Sequence, residues 1–134
     1  MEESLSEMLE QALSRQRRSV KFFELMISAA PVGERKLLQT LRREDRRHFY
    51  LFEGIYEEIS GHEWRRPHLS LALPKQFPAM LQVMICDKLD MIDYYRRLDE
   101  LLDCAKQREL VDIVIADQRE QVRLLAAVYK QSFG

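Results

Sequence analysis

Residues 38–61 of the chain read LQTLRREDRRHFYLFEGIYEEISG, and this stretch decides the fold. Its apolar residues recur in steps of three and four, the spacing that keeps side chains on one face of a helix. Asp45 and His48 occupy two positions of that apolar stripe, one turn apart. The pattern predicts a long helix with two ionisable groups on its buried face. Such a pair can bind one metal ion, or it can be a hydrogen-bonded pair inside a bundle.

Three further stretches show the same helical period, each with polar residues in the middle of its apolar stripe. The interruptions are Gln16 in the first helix, Lys88 in the third, and Gln118 and Gln121 in the fourth. We therefore predict an all-α chain that folds as one domain over residues 1–134. Its helices are expected at about residues 4–30, 34–60, 79–104 and 108–131, with the first beginning at the capping pair Ser4 and Glu7.

The connections between these helices are of two kinds. The turn at residues 31–33, which contains Pro31 and Gly33, and the short gap between the predicted third and fourth helices indicate two helical hairpins. Residues 61–78 contain three prolines and have no sustained period, and this segment is long enough to run the length of a helix. We expect it to cross over between helices two and three, packed against the bundle by Trp64 and by residues 69–73.

The two halves of the chain repeat each other at a nearly constant offset. Gln16 and Lys88 are 72 residues apart, and Asp45 and Gln118 are separated by 73, as are His48 and Gln121. The polar interruptions thus number one, two, one and two in four successive helices. This regularity indicates internal duplication of a helical hairpin.

The second helix resembles that of rubrerythrin-like proteins in the ferritin-like superfamily. In those proteins Glu-x-x-His is followed by a Phe/Tyr-rich stretch, Ile-Tyr and a helix end at Thr/Ser-Gly, which matches LRREDRRHFYLFEGIYEEISG at residues 41–61. Paired aromatic residues also follow the interruption in helices one and three, at residues 22–23 and 94–95. The resemblance implies a ferritin-like four-helix bundle in which the two hairpins are joined by the long crossover.

The same resemblance implies that a metal site has degenerated. The family holds two iron or manganese ions with one Glu on helices one and three and Glu-x-x-His on helices two and four. Those positions are here occupied by a vestigial polar core cluster of Gln16, Asp45, His48, Lys88, Gln118 and Gln121. One carboxylate cannot balance two ions, and a charged Lys88 repels metal. We expect no metal, with the Lys88 ammonium bound to Asp45 in its place. Five acids beside these positions are expected to face solvent: Glu44, Asp87, Asp90, Asp117 and Glu120.

Composition narrows the remaining possibilities. The net charge is −1, no apolar run approaches a membrane span, and the N-terminal residues lack the pattern of a signal peptide. We expect a soluble cytoplasmic protein with no membrane partner. Cys86 and Cys104 lie on one predicted helix, too far apart to pair, and are expected to be buried thiols.

Three functions follow from these observations. The first is a non-catalytic structural or interaction module that forms a homodimer or binds another protein, through a patch of Phe22, Phe49, Tyr50 and Tyr94. The second is a metal-binding protein or oxidoreductase with a mononuclear iron, manganese or zinc site at Asp45 and His48. The third, which we do not favour because acids are interspersed, is weak nucleic-acid binding through seven arginines, Arg15, Arg17, Arg18, Arg42, Arg43, Arg46 and Arg47.

Overall fold

The computed structural model describes residues 3–132, and within that range the chain forms four long α-helices. They are α1 (Leu5–Ala29), α2 (Arg35–Ser60), α3 (Phe77–Leu101) and α4 (Ala105–Gln131), with a 3₁₀ turn at Val32–Glu34. α1 packs chiefly along α2, and α3 packs chiefly along α4. Residues 61–76 cross between the two hairpins. The predicted all-α bundle of two hairpins is therefore confirmed.

The sequence marks the ends of the first hairpin well. The Ser4 hydroxyl accepts a hydrogen bond from the Glu7 backbone N–H at 3.1 Å, and the Glu7 carboxylate accepts one from the Ser4 N–H at 3.2 Å. At the end of α2, Gly61 adopts a φ of 80°, and its N–H donates to the Glu57 carbonyl. Only glycine adopts this left-handed conformation without strain, so Gly61 terminates the helix.

The second hairpin departs from the predicted boundaries. α3 begins at Phe77 and ends at Leu101, and α4 begins at Ala105, three residues before the predicted start. The connection at residues 102–104 contains neither Gly nor Pro, so nothing in the sequence marked it. Leu102 and Cys104 adopt extended backbone conformations there.

The prediction that both cysteines are buried is wrong. Cys86 and Cys104 are both exposed free thiols. Cys104 precedes α4 in the short connection, and Cys86 lies on the outer face of α3, two residues from the buried Lys88.

The apolar core consists of two clusters, and on each helix the polar interruption lies between them. One cluster includes Leu13, Phe52 and Leu98, and the other includes Phe23 and Leu81. A polar layer therefore crosses the middle of the bundle. None of the helices within residues 3–132 has the length and hydrophobicity needed to span a membrane.

The crossover is attached to both clusters, as predicted. Trp64 packs against the first cluster, where its ring lies 5.9 Å from that of Phe49, and Leu71 and Leu73 pack against the second. The proposed partner-facing patch does not exist as predicted, because Phe22, Phe49 and Tyr94 are buried in the core. Of the four aromatic residues only Tyr50 is exposed, and a single ring is not a patch.

Candidate functional site

The structure brings the six residues of the polar core cluster together at the middle of the bundle. The exposed fraction is 3% for His48 and 0% for each of the other five residues. Every one of the four long helices contributes at least one of them. Burial of so many polar groups requires that they satisfy one another with hydrogen bonds.

Asp45 is the acceptor at the centre of this cluster. Lys88 Nζ and Ser19 Oγ both donate to its Oδ2 atom. Gln118 Nε2 and Gln121 Nε2 donate to Oδ1 at 2.8 and 3.1 Å. Both carboxylate oxygens are thus occupied by protein donors, one of them an ammonium group. Ser19 was not predicted, although it lies one turn after Gln16 on the same face of α1.

The charges of this pair are set by two opposing effects. Burial raises the pKa of Asp45, but the Lys88 charge and the hydrogen bonds from His48, Lys88 and Ser19 outweigh it and hold that pKa well below its ordinary value. Burial lowers the pKa of Lys88, and the charge and hydrogen bond of Asp45 oppose that shift. Asp45 therefore stays ionised, with the lysine ammonium as its counter-ion.

Gln16 extends the network to the other helices. Its side-chain oxygen accepts from the Tyr95 hydroxyl at 2.9 Å and from Gln118 Nε2 at 3.3 Å. Its Nε2 atom donates to the Asp45 backbone carbonyl at 3.2 Å. Within residues 3–132, the side-chain oxygens of Gln118 and Gln121 are buried without a hydrogen-bond partner, so two acceptors in this layer remain unused.

His48 connects the core to the rim of the bundle. Its Nδ1 atom faces inward, 3.1 Å from Gln118 Nε2 and 3.4 Å from Asp45 Oδ1. Its Nε2 atom faces outward, 2.8 Å from Asp117 Oδ2 on α4. Glu44, one turn before His48, lies on the same side. One ligand atom each from Glu44, His48 and Asp117 fall within 4.8 Å of one another, and we call these residues the outer triad.

Five acidic residues beside the polar core cluster were predicted to face solvent, and the prediction holds for only two of them. Asp90 and Glu120 are exposed, whereas Glu44, Asp87 and Asp117 are half-buried. Glu44 accepts a hydrogen bond from Gln121 Nε2 at 2.9 Å, and Asp87 lies 3.5 Å from Arg18. These side chains lie at the edge of the apolar stripe, where a neighbouring helix covers them.

The six residues of the polar core cluster do not fit a pair of metal ions. A di-metal site requires several carboxylates to offset the charge of the ions. Here the one carboxylate, Asp45, accepts from four protein donors, and the Lys88 ammonium lies against it.

The basic residues predicted as a nucleic-acid face are turned in different directions. Arg15 lies over the ring of Tyr94 at 4.7 Å, and Arg18 pairs with Asp87, so both face α3. Arg42 lies 3.7 Å from Glu24. Arg43 Nη2 donates to Thr40 Oγ1 at 3.4 Å. Four of the seven arginines are thus engaged with other side chains of the bundle.

No family profile and no curated protein matches this sequence. Several solved structures match its fold. CopM in its Ag-bound form has a TM-score of 0.82 and 15% identity, covering 99% of this chain and 100% of that one. This chain shares the helical bundle fold of these structures. A conserved hypothetical protein, rv2844 from Mycobacterium tuberculosis, has a TM-score of 0.82 and 14% identity, covering 96% and 99%. CopM in its apo form has a TM-score of 0.81 and 16% identity, covering 97% and 98%. At these identities the likeness shows the fold alone.

Proposed function

We propose that this chain binds one divalent metal ion at the outer triad, through His48 Nε2 and the carboxylates of Glu44 and Asp117. The observation that carries the proposal is the convergence of these three ligand atoms within 4.8 Å. Two of the ligands differ from the sequence-based alternative, which relied on Asp45 together with His48. Asp45 is unsuited to binding the ion because its oxygens already accept from Lys88 and the glutamines.

The distances require only a local adjustment. Two ligands bound to the same ion at about 2.1 Å lie roughly 3.0 to 3.4 Å apart. The 2.8 Å between His48 Nε2 and Asp117 Oδ2 is close to that value. The three ligand atoms lie within 4.8 Å of one another, so those that are farther apart than bound ligands must draw closer when an ion binds. Glu44 is half-buried, and its carboxylate would have to give up or share the hydrogen bond that it accepts from Gln121 Nε2 at 2.9 Å.

Asp45 supports this site from behind. Gln118 Nε2 donates toward Nδ1 at 3.1 Å and Asp117 accepts at Nε2, so metal binding at Nε2 requires the imidazole proton to move to Nδ1. Asp45 Oδ1, 3.4 Å from Nδ1, is the acceptor that would then receive it. A carboxylate behind a ligating histidine fixes the tautomer and orientation of the ring, and it makes the ring a better ligand. The Lys88–Asp45 pair therefore has a role in the metal proposal although neither residue binds the ion.

Charge and ligand type indicate the class of ion. Glu44, Asp45 and Asp117 carry three negative charges against one positive charge on Lys88, which leaves a surplus of two. One nitrogen and two carboxylate oxygens favour manganese, iron(II) or zinc, and the triad has no sulfur for silver or copper(I). CopM has structures in Ag-, Cu(I)- and Cu(II)-bound forms, so copper belongs among the ions to be compared.

We also infer that the chain is a duplicated ferritin-like bundle in which Lys88 has replaced the internal metals. A single ion at the rim has no second metal for di-metal oxygen chemistry, and whether the chain is catalytic stays a separate prediction. The surface patch proposed for binding a protein partner is not available, since three of its four residues are buried.

Metal titration of chelator-treated, untagged protein tests the proposal. Manganese, iron(II) under anaerobic conditions, zinc and copper(II) are offered separately, and binding is followed by calorimetry and elemental analysis. We expect one ion per chain and at least tenfold weaker binding after His48→Ala or Asp117→Asn. Asp90→Asn, which removes an exposed carboxylate on α3, is the matched control and should bind as the unmodified protein does.

The choice of variants distinguishes loss of a metal ligand from disruption of the fold. Asp117 is 36% exposed, so Asp117→Asn should keep its helical circular dichroism and thermal midpoint. Binding that survives both substitutions would overturn the proposal, as would the absence of stoichiometric binding for every ion.

A further inference from the structure

A pocket of about 460 Å³ lies between α1, α2 and the crossover, apart from the outer triad. Four cationic side chains line it, together with two aromatic rings: Arg17, Lys21, Arg46, Arg66, Phe49 and Tyr50. The volume is in the range of small-molecule sites. The combination of clustered positive charge and aromatic surface is the feature that requires an explanation.

The pocket has more positive charge than its own acid can balance. Glu24 is the one acidic residue in the lining, and it is shared between Lys21 at 3.5 Å and Arg42 at 3.7 Å. Arg66 lies 3.9 Å from Glu53, which is outside the lining. Four cations thus face a common space with two nearby carboxylates, and the positive charge that remains is repulsive. A bound anion would relieve that repulsion and would be attracted by all four charges.

Two of the guanidinium groups are already held in place by contacts between the crossover and the helices. Arg17 Nη1 donates to the Pro67 carbonyl, and Arg66 lies over the Phe49 ring at 5.0 Å. Because these side chains are positioned before any ligand arrives, less conformational entropy is lost on binding. The crossover therefore supplies one wall of the pocket and helps to fix its cations.

Arg46 is different because it has no protein partner. Within residues 3–132 it makes no hydrogen bond or ion pair, although it lines the pocket beside three other cations. Tyr50, one turn later, is 54% exposed, and its ring lies 5.6 Å from that of Phe49. A free guanidinium and an accessible ring are thus available on the same side of α2.

We propose that this pocket binds a small organic phosphate, with the phosphate at the arginines and the organic part against Tyr50. Planar guanidinium groups match phosphate oxygens in pairs, and aromatic faces stack on flat organic groups. A nucleic-acid strand fits less well, because the crossover bounds the pocket and Arg15 and Arg18 face α3.

Calorimetric titration in EDTA and low salt tests this proposal without metal. The probes are ATP, pyrophosphate, adenosine and a single-stranded 20-mer oligonucleotide. We expect ATP to bind most tightly, pyrophosphate more weakly and adenosine weakest, with all phosphate binding reduced by salt. Tyr50→Ala should weaken ATP binding and leave pyrophosphate binding unchanged.

Adjacent arginines on α2 give a matched pair of variants. Arg46→Ala should weaken ATP binding at least tenfold, because it removes a charge-assisted contact. Arg47→Ala removes the same charge from an exposed residue outside the lining and should change binding less than twofold. Equal losses in the two variants would overturn the proposal, as would tighter binding of the oligonucleotide than of ATP or the absence of ATP binding at millimolar concentration. Because EDTA removes metal, failure here leaves the outer-triad proposal standing.

Discussion

Replacing Lys88 with methionine tests whether the buried ammonium group is what keeps the charge of Asp45 tolerable. Both side chains are fully buried, and methionine keeps an unbranched chain while removing the cation. Breaking a buried ion pair from one side costs about 3 to 5 kcal/mol, because the other charge is left uncompensated. Asp45 would keep its hydrogen bonds from Ser19, Gln118 and Gln121. We therefore expect a loss near the lower limit, about 3 kcal/mol.

Urea unfolding followed by circular dichroism at pH 7 measures this loss. In a protein of this length it should lower Tm by roughly 10 °C. The double variant Asp45→Asn/Lys88→Met should recover at least half of the loss, because no unpaired charge remains. Lys106→Met, at an exposed position, should change the free energy of unfolding by less than about 0.5 kcal/mol. The reasoning is refuted if Lys88→Met is as stable as the unmodified protein, or if the two substitutions are simply additive.

The pH dependence of the same variant has a defined sign. In the unmodified protein the pKa of Asp45 lies below the 3.8 of a free aspartate, so the ion pair contributes stability above about pH 4 that is lost in acid. Without Lys88, burial raises the pKa of Asp45, and the carboxyl group protonates earlier. The difference in stability between the two proteins should therefore begin to shrink above about pH 4, where the variant's carboxyl group protonates, and should shrink further below about pH 4, where the unmodified protein loses its ion pair.

Three other measurements address separate features. Burial, with the hydrogen bond and charge of Asp112, raises the pKa of Asp99 from 3.8 to about 6. The folded chain then binds more protons than the unfolded chain in that window, so Tm should fall as pH rises through it, and Asp99→Asn should remove the fall. Gly61→Ala should cost about 1 kcal/mol because φ is 80°, whereas Gly33→Ala, with open space at its Cβ, should be neutral in the same thermal scan. Lys88→Met should bind metal more tightly in calorimetry, since it removes a positive charge beside Glu44.

The fold was predictable because the apolar residues recur with the period of a helix. Apolar steps of three and four identify the four long helices, and glycine or proline marks the turn after α1 and the end of α2. The turn between α3 and α4 was misplaced because residues 102–104 are ordinary helix-compatible residues in which the break depends on packing. Exposure of Cys86 was missed for a related reason: a small apolar residue can lie on either side of a stripe.

The inner part of the site was also predictable, whereas its outer part was not. A polar residue inside an apolar stripe is visible in one sequence, and this identified Asp45, His48 and Lys88. Glu44 and Asp117 lie beside their stripes, so their approach to His48 depends on how α2 and α4 pack. A sequence without its helix packing contains no information about that distance. The duplication and the ferritin-like relationship stay predictions, since the structural neighbours share only the bundle fold.

The two proposed sites share α2 and can remain independent because of its geometry. Successive residues are rotated by about 100° around a helix. Relative to Asp45, which faces the core, Glu44 and His48 point to one side, and Arg46, Phe49 and Tyr50 point to the other. The first set meets α4, and the second lines the pocket with α1 and the crossover. Residues 42–48 are rich in charge because this part of α2 contributes to the polar core and to two opposite surfaces of the helix. Because the helix separates the two surfaces, metal bound at the outer triad should leave the affinity of the pocket for uncomplexed phosphate probe unchanged.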